Sequence, residues 1–341
     1  MNRIGIIVTD PSYYPPEDPD HDTPPLLAAL RERGADAQAV SWRDTDVDWA
    51  SYDLLVIRSP WDYVGHAAEF SAWLRTIEAT SVPLYNDATL IRWNMDKRYL
   101  EELSARGVGV VPTRYLATAA EVDAAFTEDA EDAEDAEDAE DAEDAEDTAG
   151  EQDAPSPRIV VKPTVGAGSS RTGLFEADDP AAAELARDIV TSGGVAMLQA
   201  EVPELSEGRE KAVYLVGGRF THAIAKGALL APGGGFLGGV YQEHPVIVDA
   251  TPDEKTFAVR VFDAVSAVTG SVPLYGRIDM VETAESDGRG LLLLEAELFE
   301  PAFNLHLVPG VAATFAEAIL DCLPVGSPGS LRPCDQGAPA V

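Results

Sequence analysis

The sequence LYGRIDMV at residues 274–281 is followed, after a loop that contains Asp287-Gly288, by LLLLEAE at residues 291–297. Two apolar runs joined by such a loop predict a β-hairpin. Because side chains alternate along a strand, Glu295 and Glu297 point to one face, and strand pairing can bring Asp279 to the same face. Clustered carboxylates repel one another unless a cation lies between them, and Mg²⁺ prefers oxygen ligands. The hairpin therefore predicts a Mg²⁺ site or, as the alternative, a solvated polar face.

Basic residues elsewhere in the chain extend this chemistry. Lys162 closes the strand pattern IVVKP and precedes a Gly/Ser-rich loop, whose backbone N–H groups can surround a polyphosphate. Each lysine alone is typical of a protein surface, but several cations at the ends of elements, together with three carboxylates, predict a phosphate group held with Mg²⁺. The four cations are Lys97, Lys162, Lys226 and Arg277.

The length and composition are those of a globular protein. The chain has 341 residues, 45% of them hydrophobic, which is enough for two or three domains with a substantial core. No apolar run approaches the roughly 18 residues needed to span a bilayer. Residues 4–8 read as a buried strand rather than a signal peptide. Cys322 and Cys334 lie outside any metal-ligand spacing, so we expect free thiols in a cytoplasmic protein. From the lack of a long apolar run, we expect no membrane binding.

The net charge of −36 depends partly on one segment. Residues 128–147 are Glu-Asp-Ala repeats with 14 carboxylates and no base, which leaves −22 for the rest of the chain. This acidic remainder argues against nucleic acid as a partner, because phosphate would be repelled. We predict a disordered, low-complexity insert at about 127–157; the alternative is an interaction segment.

The first ninety residues alternate strand and helix patterns, which predicts a parallel sheet covered by helices. No glycine fingerprint follows the first strand, so a dinucleotide site at that turn is not expected. The predicted strands are Ile4–Val8, Ala37–Val40, Leu54–Ile57 and Pro83–Asn86, and the predicted helices are Pro24–Arg33 and Ala67–Glu78.

The later part of the chain predicts further strands and helices around a glycine-rich loop. The motif GGGFLG at 233–238 has neither a strand before it nor a clear helix after it, so it fails the context test for dinucleotide binding. We interpret 227–239 as a mobile loop of the kind that acts as a lid. The predicted strands are Ile159–Pro163, Val195–Gln199, Lys211–Val216 and Arg219–Ala225, and the predicted helices are Pro180–Thr191 and Pro252–Thr269.

Taken in chain order, these motifs resemble the ATP-grasp ligases over about residues 91–305. In that family a Lys precedes a helix, a second Lys ends a strand before a Gly-rich loop, a strand enters an adenine-binding hinge, and Arg-x-Asp precedes Glu-x-Asn or a variant. Glu297 stands here where many members carry Asn, and it still supplies an oxygen ligand. The matching positions are Lys97, Lys162, the loop 166–170, Gln199–Val202, Arg277-x-Asp279 and Glu295-x-Glu297.

The resemblance implies an α/β fold with an α+β C-terminal part. Its organisation would be an N-terminal pre-ATP-grasp parallel-sheet domain followed by two α+β subdomains that clasp ATP. We expect the first domain at 1–92, the small subdomain with the insert at 93–198, the C-terminal subdomain with the lid loop at 199–323, and a flexible tail at 324–341. ATP-grasp proteins are often dimers, so a homodimer is expected by analogy.

The resemblance also implies a set of site residues. ATP and Mg²⁺ are the expected cofactors, with two metal ions and Mn²⁺ as a substitute. Glu210 is the expected ribose ligand, with Glu204 and Glu207 as alternatives. The expected metal ligands are Asp279, Glu295 and Glu297, and the expected catalytic residues are Arg277 and Lys226. The remaining expected ATP-binding residues are Lys97, Lys162, Gly166, Gly168, Ser169, Ser170, Gln199, Ala200, Glu201 and Val202.

Some segments are similar to one small ATP-grasp subgroup, which includes the cyclo-ligase of cycloserine biosynthesis. These segments are RSPWDY at 58–63, Asn86, RWN at 92–94, KRYL at 97–100 and the Glu300-Pro301 pair after Glu297. The resemblance implies an amino-acid-like substrate whose carboxylate is phosphorylated by ATP and then attacked by nitrogen. O-ureido-D-serine, closed to cycloserine, is the first hypothesis. The alternatives are a two-substrate amino-acid or dipeptide ligase and an ATP-binding regulatory module.

The expected substrate contacts are less defined. The edge formed by residues 58–63 would read the carboxylate and amine of an amino acid; the alternative is a capped strand end with Trp61 and Tyr63 in the core. His222 is a candidate base, although a hydrogen-bonded structural role is the stronger interpretation, and no general base is assigned. The substrate set is Arg58, Trp61, Asp62, Tyr63 and Asn304.

Overall fold

The computed structural model describes residues 1–14, 19–127, 157–166, 170–235, 245–284 and 290–323. Most of the insert at 127–157, the tail, Gly168, Ser169, Cys334, Asp287-Gly288 and the later part of the loop 227–239 lie outside these residues. The described residues form two compact units. The first consists of the described parts of 1–110, 210–226 and 244–341, and the second of those of 111–209 and 227–243.

This division differs from the domain bounds expected at 92/93 and 198/199. Residues 93–110 belong to the first unit, where Tyr99, Leu100 and Leu103 are fully buried. The Tyr99 hydroxyl bonds to the backbone of Ala296, which ties this segment to β13 of the first unit. The bounds drawn from the sequence remain predictions of domain organisation.

A four-stranded parallel sheet begins the first unit, as predicted. Its strand order is β2-β1-β3-β4, and every neighbouring pair is parallel. Alternate residues of β1 supply two different clusters, because Ile4 and Ile6 pack with Leu30, whereas Ile7 packs with Phe70. Continuous apolar strands are typical of a sheet buried on both faces. The elements are β1 (Arg3–Val8), α1 (Thr23–Glu32), β2 (Asp36–Ser41), β3 (Leu54–Ser59), α2 (Ala67–Glu78), β4 (Leu84–Tyr85), α3 (Ala88–Asn94) and α4 (Tyr99–Ser104).

A five-stranded antiparallel sheet completes the first unit, in the order β11-β10-β9-β12-β13. Gly217 and Gly218, with φ of +57° and +71°, form the tight turn between β9 and β10. Helix α8 begins with a capping box between Thr251 and Glu254 and ends at Gly270 in the left-handed conformation. The elements are β9 (Lys211–Val216), β10 (Arg219–Ala225), β11 (Val246–Val248), α8 (Pro252–Thr269), β12 (Tyr275–Glu282), β13 (Leu291–Glu297) and α9 (Val311–Asp321).

The second unit has its own sheet and core. Its four strands are antiparallel in the order β5-β8-β6-β7, and α6 packs on them through Ala182, Ala186 and Ile189. β5 and β7 were not predicted, because four residues carry too little periodicity to identify a strand. The elements are β5 (Thr113–Leu116), α5 (119–127), β6 (Arg158–Pro163), β7 (Gly173–Glu176), α6 (Pro180–Thr191), β8 (Ala196–Ala200) and α7 (Pro203–Ser206).

The lengths of the helices and the bounds of the elements can be compared with the sequence predictions. None of the helices in the described part of the chain has the length and apolar character to cross a bilayer. The strands and helices assigned from the sequence all occur, and several of their ends differ by one or two residues from the predicted bounds, which is the usual spread at element ends.

His222 is a buried member of the first unit's core. Its ring is stacked on Tyr214 with centroids 4.1 Å apart, and its Nε2 lies 3.0 Å from the carbonyl oxygen of Phe303. Burial lowers the pKa of His222 to about 4, although the hydrogen bond to Phe303 acts in the opposite direction. These contacts favour the structural role over that of a base.

We predict that His222 makes the protein less stable at acidic pH. The unfolded imidazole has a pKa of about 6.5, so below that pH the unfolded chain binds a proton that the folded chain binds only near pH 4. Stability therefore falls as the pH drops, by about 2 kcal/mol between pH 7 and pH 5 from this group. Urea unfolding at both pH values will show a smaller loss in His222→Gln than in the wild type. His66→Gln, at a half-buried histidine, is the control, and equal losses in wild type and His222→Gln would contradict the assignment.

Candidate active site

The hairpin of β12 and β13 places the predicted carboxylates on one face. Arg277 pairs with Glu297 and Asp279 pairs with Glu295 in the antiparallel register, and directly paired residues share a face. The register shifts after Asp279, so that Met280 pairs with Leu293 and Leu294 is the extra residue. This bulge returns Leu293 to the core, where it is fully buried, while both glutamates keep the polar face.

Close packing under the hairpin requires a glycine in β12. A Cβ atom on Gly276 would lie 2.6 Å from Leu298 Cδ2 and 3.1 Å from the carbonyl oxygen of Glu297. Those contacts are shorter than van der Waals distances, so a larger residue would push the two strands apart. The sequence Gly276-Arg277 thus combines a close backbone approach with the first charged side chain of the site.

Each of the three carboxylates is paired with a basic side chain. Arg277 holds Asp279 in a bidentate pair, with Nε–Oδ1 and Nη2–Oδ2 distances of 2.7 and 2.8 Å, and it also bonds to Glu297. Lys97 Nζ lies 3.1 Å from Glu295 Oε1. Forked guanidinium–carboxylate pairs of this kind fix geometry as well as charge.

Lys226 connects this cluster to Glu210. Its Nζ lies 3.1 Å from Asp279 Oδ2 and 3.0 Å from Glu210 Oε1. Burial raises the pKa of Glu210, although Lys226 acts in the opposite direction. The structure therefore brings Glu210, the expected ribose ligand, into contact with a predicted catalytic residue; its binding to ribose remains a prediction.

The pKa values in the cluster follow from burial and from neighbouring charges. Burial raises the pKa of Glu297 to about 8, with Arg277 lowering it and Glu295 raising it. Burial also opposes the charge on Asp279, but Arg277 and Lys226 outweigh it and lower the pKa of Asp279. Burial would likewise lower the pKa of Lys97, but Glu295 outweighs it and the pKa is raised. The cluster thus combines burial with shifted pKa values, as is common at functional sites.

The geometry fits a metal ion. Among the described residues, Asp279, Glu295 and Glu297 bring one carboxylate oxygen each within 4.8 Å of the others. Two oxygens on one Mg²⁺ ion are at most about 4.2 Å apart, so small side-chain rotations complete the arrangement. An all-oxygen donor set suits Mg²⁺, Ca²⁺ or Mn²⁺ rather than a thiophilic metal.

Arg58, which was expected to bind the substrate, is more buried than the sequence suggested. Arg58 is 2% exposed and lies over the rings of Tyr275 and Phe303 at 4.8 Å from each centroid. It also contacts Asp22 at 3.5 Å. Nη2 of Arg58 has protein partners, whereas its buried Nη1 has no hydrogen-bond partner, and substrate contact by Arg58 remains a prediction.

Two of the other predicted substrate contacts, Trp61 and Tyr63, bond to Glu300, a residue that was not among the predicted site residues. Tyr63 is buried, and its hydroxyl donates to Glu300 Oε1 at 2.8 Å; this supports the core alternative for Tyr63. Half-buried Trp61 donates to the Glu300 carbonyl at 2.7 Å. Asp62 accepts a bond from Trp42, and Asn304 has a left-handed backbone; for Trp61, Asp62 and Asn304, substrate contact remains a prediction.

Glu300 is a buried acid with one unused oxygen. Its Oε2 has no hydrogen-bond partner, and burial raises its pKa to about 7. Its position three residues after Glu297 was visible in the sequence only as part of the pattern Glu-x-Glu-x-x-Glu. Period-2 alternation ends with the strand, so spacing alone did not bring Glu300 into the site.

The predicted nucleotide-binding residues of the second unit lie on β6 and β8. Lys162 is near the end of β6, paired with Met197, and Gly166 and Ser170 flank the loop that follows. Gln199 donates to Thr113 Oγ1 at 2.7 Å, Ala200 ends β8, and Val202 is buried at the start of α7. Glu201 pairs with Arg158 at 2.8 Å. Their contact with ATP remains a prediction.

We predict that Asp279 is required for divalent-metal binding. Asp279→Asn removes a charged ligand and one partner of Arg277, so Mn²⁺ affinity will fall at least tenfold. Electron paramagnetic resonance of free Mn²⁺ measures this in a titration of the full chain. The matched control is Glu254→Gln, which changes a buried carboxylate paired with Lys211 at 2.7 Å. Unchanged Mn²⁺ affinity in Asp279→Asn would remove Asp279 from the metal site.

Comparison with known proteins identifies the relatives of this chain. Residues 6–86 match the family model of the D-cycloserine synthetase DcsG N-terminal domain. The chain is 32% identical to the cycloserine biosynthesis protein DcsG of Streptomyces lavendulae over 324 residues, which are 94% of this chain and 99% of that protein. The crystal structure of D-cycloserine synthetase DcsG matches with a TM-score of 0.78 and 28% identity, over 95% of this chain and 100% of that one.

More distant structures share the fold. A RimK-domain ATP-grasp protein from Sphaerobacter thermophilus has a TM-score of 0.58 at 16% identity, over 93% of this chain and 99% of that one. The D-alanine–D-alanine ligase of Bacillus anthracis, solved with ATP, has a TM-score of 0.58 at 13% identity, over 95% and 96%. The fold and family predicted from the sequence are thereby confirmed. The chain belongs to the DcsG family of ATP-grasp proteins and is an ATP-dependent ligase.

Proposed function

We propose that this ligase closes O-ureido-D-serine, or a closely related amino-acid derivative, into a ring by joining its carboxylate to one of its own nitrogens. The observation that carries the proposal is the hairpin cluster, in which Asp279, Glu295 and Glu297 lie together with Lys97 and Arg277. Similarity to DcsG along almost the whole chain supports a cycloserine-type substrate.

The chemistry explains why such a cluster is needed. A carboxylate is a poor electrophile, so one of its oxygens first attacks the γ-phosphorus of ATP and ADP leaves, which yields an acyl phosphate. A nitrogen of the same molecule then attacks the carbonyl carbon, loses a proton and expels phosphate. Both steps concentrate negative charge on phosphate oxygens and on the tetrahedral intermediate. The protein's contribution is therefore mainly positioning and charge neutralisation.

We assign the residues of the first unit on this basis. Asp279, Glu295 and Glu297 would hold Mg²⁺, which would neutralise phosphate charge when bound. With the carboxylates bound to the metal ion, the basic side chains that now pair with them could instead contact phosphate oxygens. Lys97 binds phosphate, Lys226 makes a further phosphate contact, and Arg277 stabilises the oxyanion of the tetrahedral intermediate.

We assign the residues of the second unit to ATP. Lys162 and the loop 166–170 bind phosphate, and Gln199 to Val202 line the adenine pocket. The loop 227–239 acts as a lid that keeps water from the acyl phosphate. The described part of this loop makes a hydrogen bond to β7, in which Gly234 N donates to the Leu174 carbonyl at 2.9 Å.

We predict that O-ureido-D-serine alone supports ATP turnover. With Mg²⁺ and ATP, ADP release will occur with this single substrate and no added amine, because the attacking nitrogen is in the same molecule. A coupled ADP assay with mass spectrometry of the product measures both halves of the reaction. Asp279→Asn is the control, since it reports any contaminating ATPase.

The same substrate panel distinguishes the alternatives. Turnover only with an acid–amine pair would make this a two-substrate amino-acid or dipeptide ligase. ATP binding without turnover across O-ureido-D-serine, amino acids and dipeptides would contradict the proposed substrate and favour a regulatory nucleotide-binding role.

A further inference from the structure

Around Ala296, the outer edge of β13 is covered by side chains instead of a further strand. β13 is the last strand of its sheet; among the described strands only β12 pairs with it, and an isolated bridge adds a bond from Leu293 N to the Gly109 carbonyl at 2.8 Å. The peptide groups of Glu295 and Glu297 face β12 through the pairs with Asp279 and Arg277. Because backbone groups alternate in direction along a strand, those of Ala296 face away from β12. An edge of this kind in the interior needs partners for its N–H and C=O groups.

Tyr99 supplies both partners for Ala296. The Ala296 N–H donates to Tyr99 Oη at 2.9 Å, and the same hydroxyl donates to the Ala296 carbonyl at 3.2 Å. Tyr99 is 2% exposed, so water does not replace these bonds. A single hydroxyl thus does for this residue what a neighbouring strand does elsewhere in a sheet.

Asn94 and Asn86 continue the cover along β13 and past its end. Asn94 Nδ2 donates to the Ala296 carbonyl at 2.7 Å, and its Oδ1 accepts from Leu298 N at 2.9 Å. Asn86 donates to the Leu298 carbonyl. The amide side chains are nearly inaccessible, with exposures of 6% for Asn94 and 1% for Asn86. Five backbone–side-chain bonds therefore hold the backbone at Ala296 and Leu298.

The segment that makes these bonds also carries Lys97. Lys97 lies between α3, which ends at Asn94, and α4, which begins at Tyr99. Its Nζ contacts Glu295 at 3.1 Å, one residue before Ala296. The same turn thus holds the backbone between the two glutamates and pairs with one of their side chains. A slip or tilt of β13 would move Glu295 and Glu297 together relative to Asp279.

We propose that Tyr99 and Asn94 are positioning residues that set the spacing of the three metal-binding carboxylates by holding the backbone of Ala296. The inference rests on the proposed metal site. The alternative is a purely structural cover, whose loss lowers stability and leaves metal binding as it was. Groups that orient metal ligands without touching the metal typically change affinity by 10–100-fold when they are removed.

The test is Tyr99→Phe, which keeps the ring, 4.9 Å from that of Trp93, and removes only the hydroxyl. Mn²⁺ binding to the full chain is titrated by electron paramagnetic resonance, and the site-specific part is the part that Asp279→Asn abolishes. We expect the half-saturating Mn²⁺ concentration to rise about tenfold in Tyr99→Phe. Tyr52→Phe is the matched control, because Tyr52 is also buried and its hydroxyl accepts a bond from Gln38 in the parallel sheet.

Amide hydrogen exchange at Ala296 provides the second measurement. Exchange there will be several times faster in Tyr99→Phe and unchanged in Tyr52→Phe. Asn94→Ala, which also loses a bond to the Ala296 carbonyl, should weaken Mn²⁺ binding in the same direction and serves if Tyr99→Phe does not fold.

The outcomes separate the inference from the proposed function. Wild-type Mn²⁺ affinity in Tyr99→Phe, with binding still lost in Asp279→Asn, would overturn the positioning role and leave the metal site intact. Equal Mn²⁺ binding in wild type and Asp279→Asn would overturn the metal site itself, and the positioning role with it. Equal weakening in Tyr52→Phe and Tyr99→Phe would reduce the effect to general stability and contradict the inference.

Discussion

The bidentate pair of Arg277 and Asp279 is the interaction on which the site depends. Both side chains are almost fully buried, and an isolated charge in that place would be strongly unfavourable. Their mutual pairing, extended by Lys226, lowers the pKa of Asp279 and lets the pair remain charged next to a hydrophobic core. The other carboxylates of the cluster also have basic partners: Glu295 pairs with Lys97, and Glu297 pairs with Arg277.

The two faces of the hairpin differ in polarity. One face carries the charges, while on the other Ile278 and Ala296 are buried in the core. The bulge at Leu294 and the lack of a side chain at Gly276 allow one pair of strands to have a charged face and a closely packed apolar face. The core thus supplies the rigidity that a metal site requires of its ligands.

Elements with a clear local pattern were predictable from the sequence, whereas contacts between distant residues were not. The parallel sheet, the helices α1, α2, α6 and α8, and the hairpins were predictable because each has a clear period, a cap or a glycine turn. The carboxylate cluster was predictable because its members alternate on paired strands. Glu300 and the burial of Arg58 were not, because they depend on contacts of residues far apart in the chain, such as Arg58 with Asp22 and Phe303.

The sequence by itself determined the family, the order of the elements and which residue types share a strand face, since these follow from local periodicity and motif order. Only the tertiary structure decided which cation pairs with which carboxylate, because Lys97, Lys226 and Arg277 are separated by many residues and meet through folding. It also decided that Tyr99 and Asn94 complete the edge of β13. A hydrogen bond from a side chain to a backbone group about 200 positions away leaves no periodic signal in the sequence.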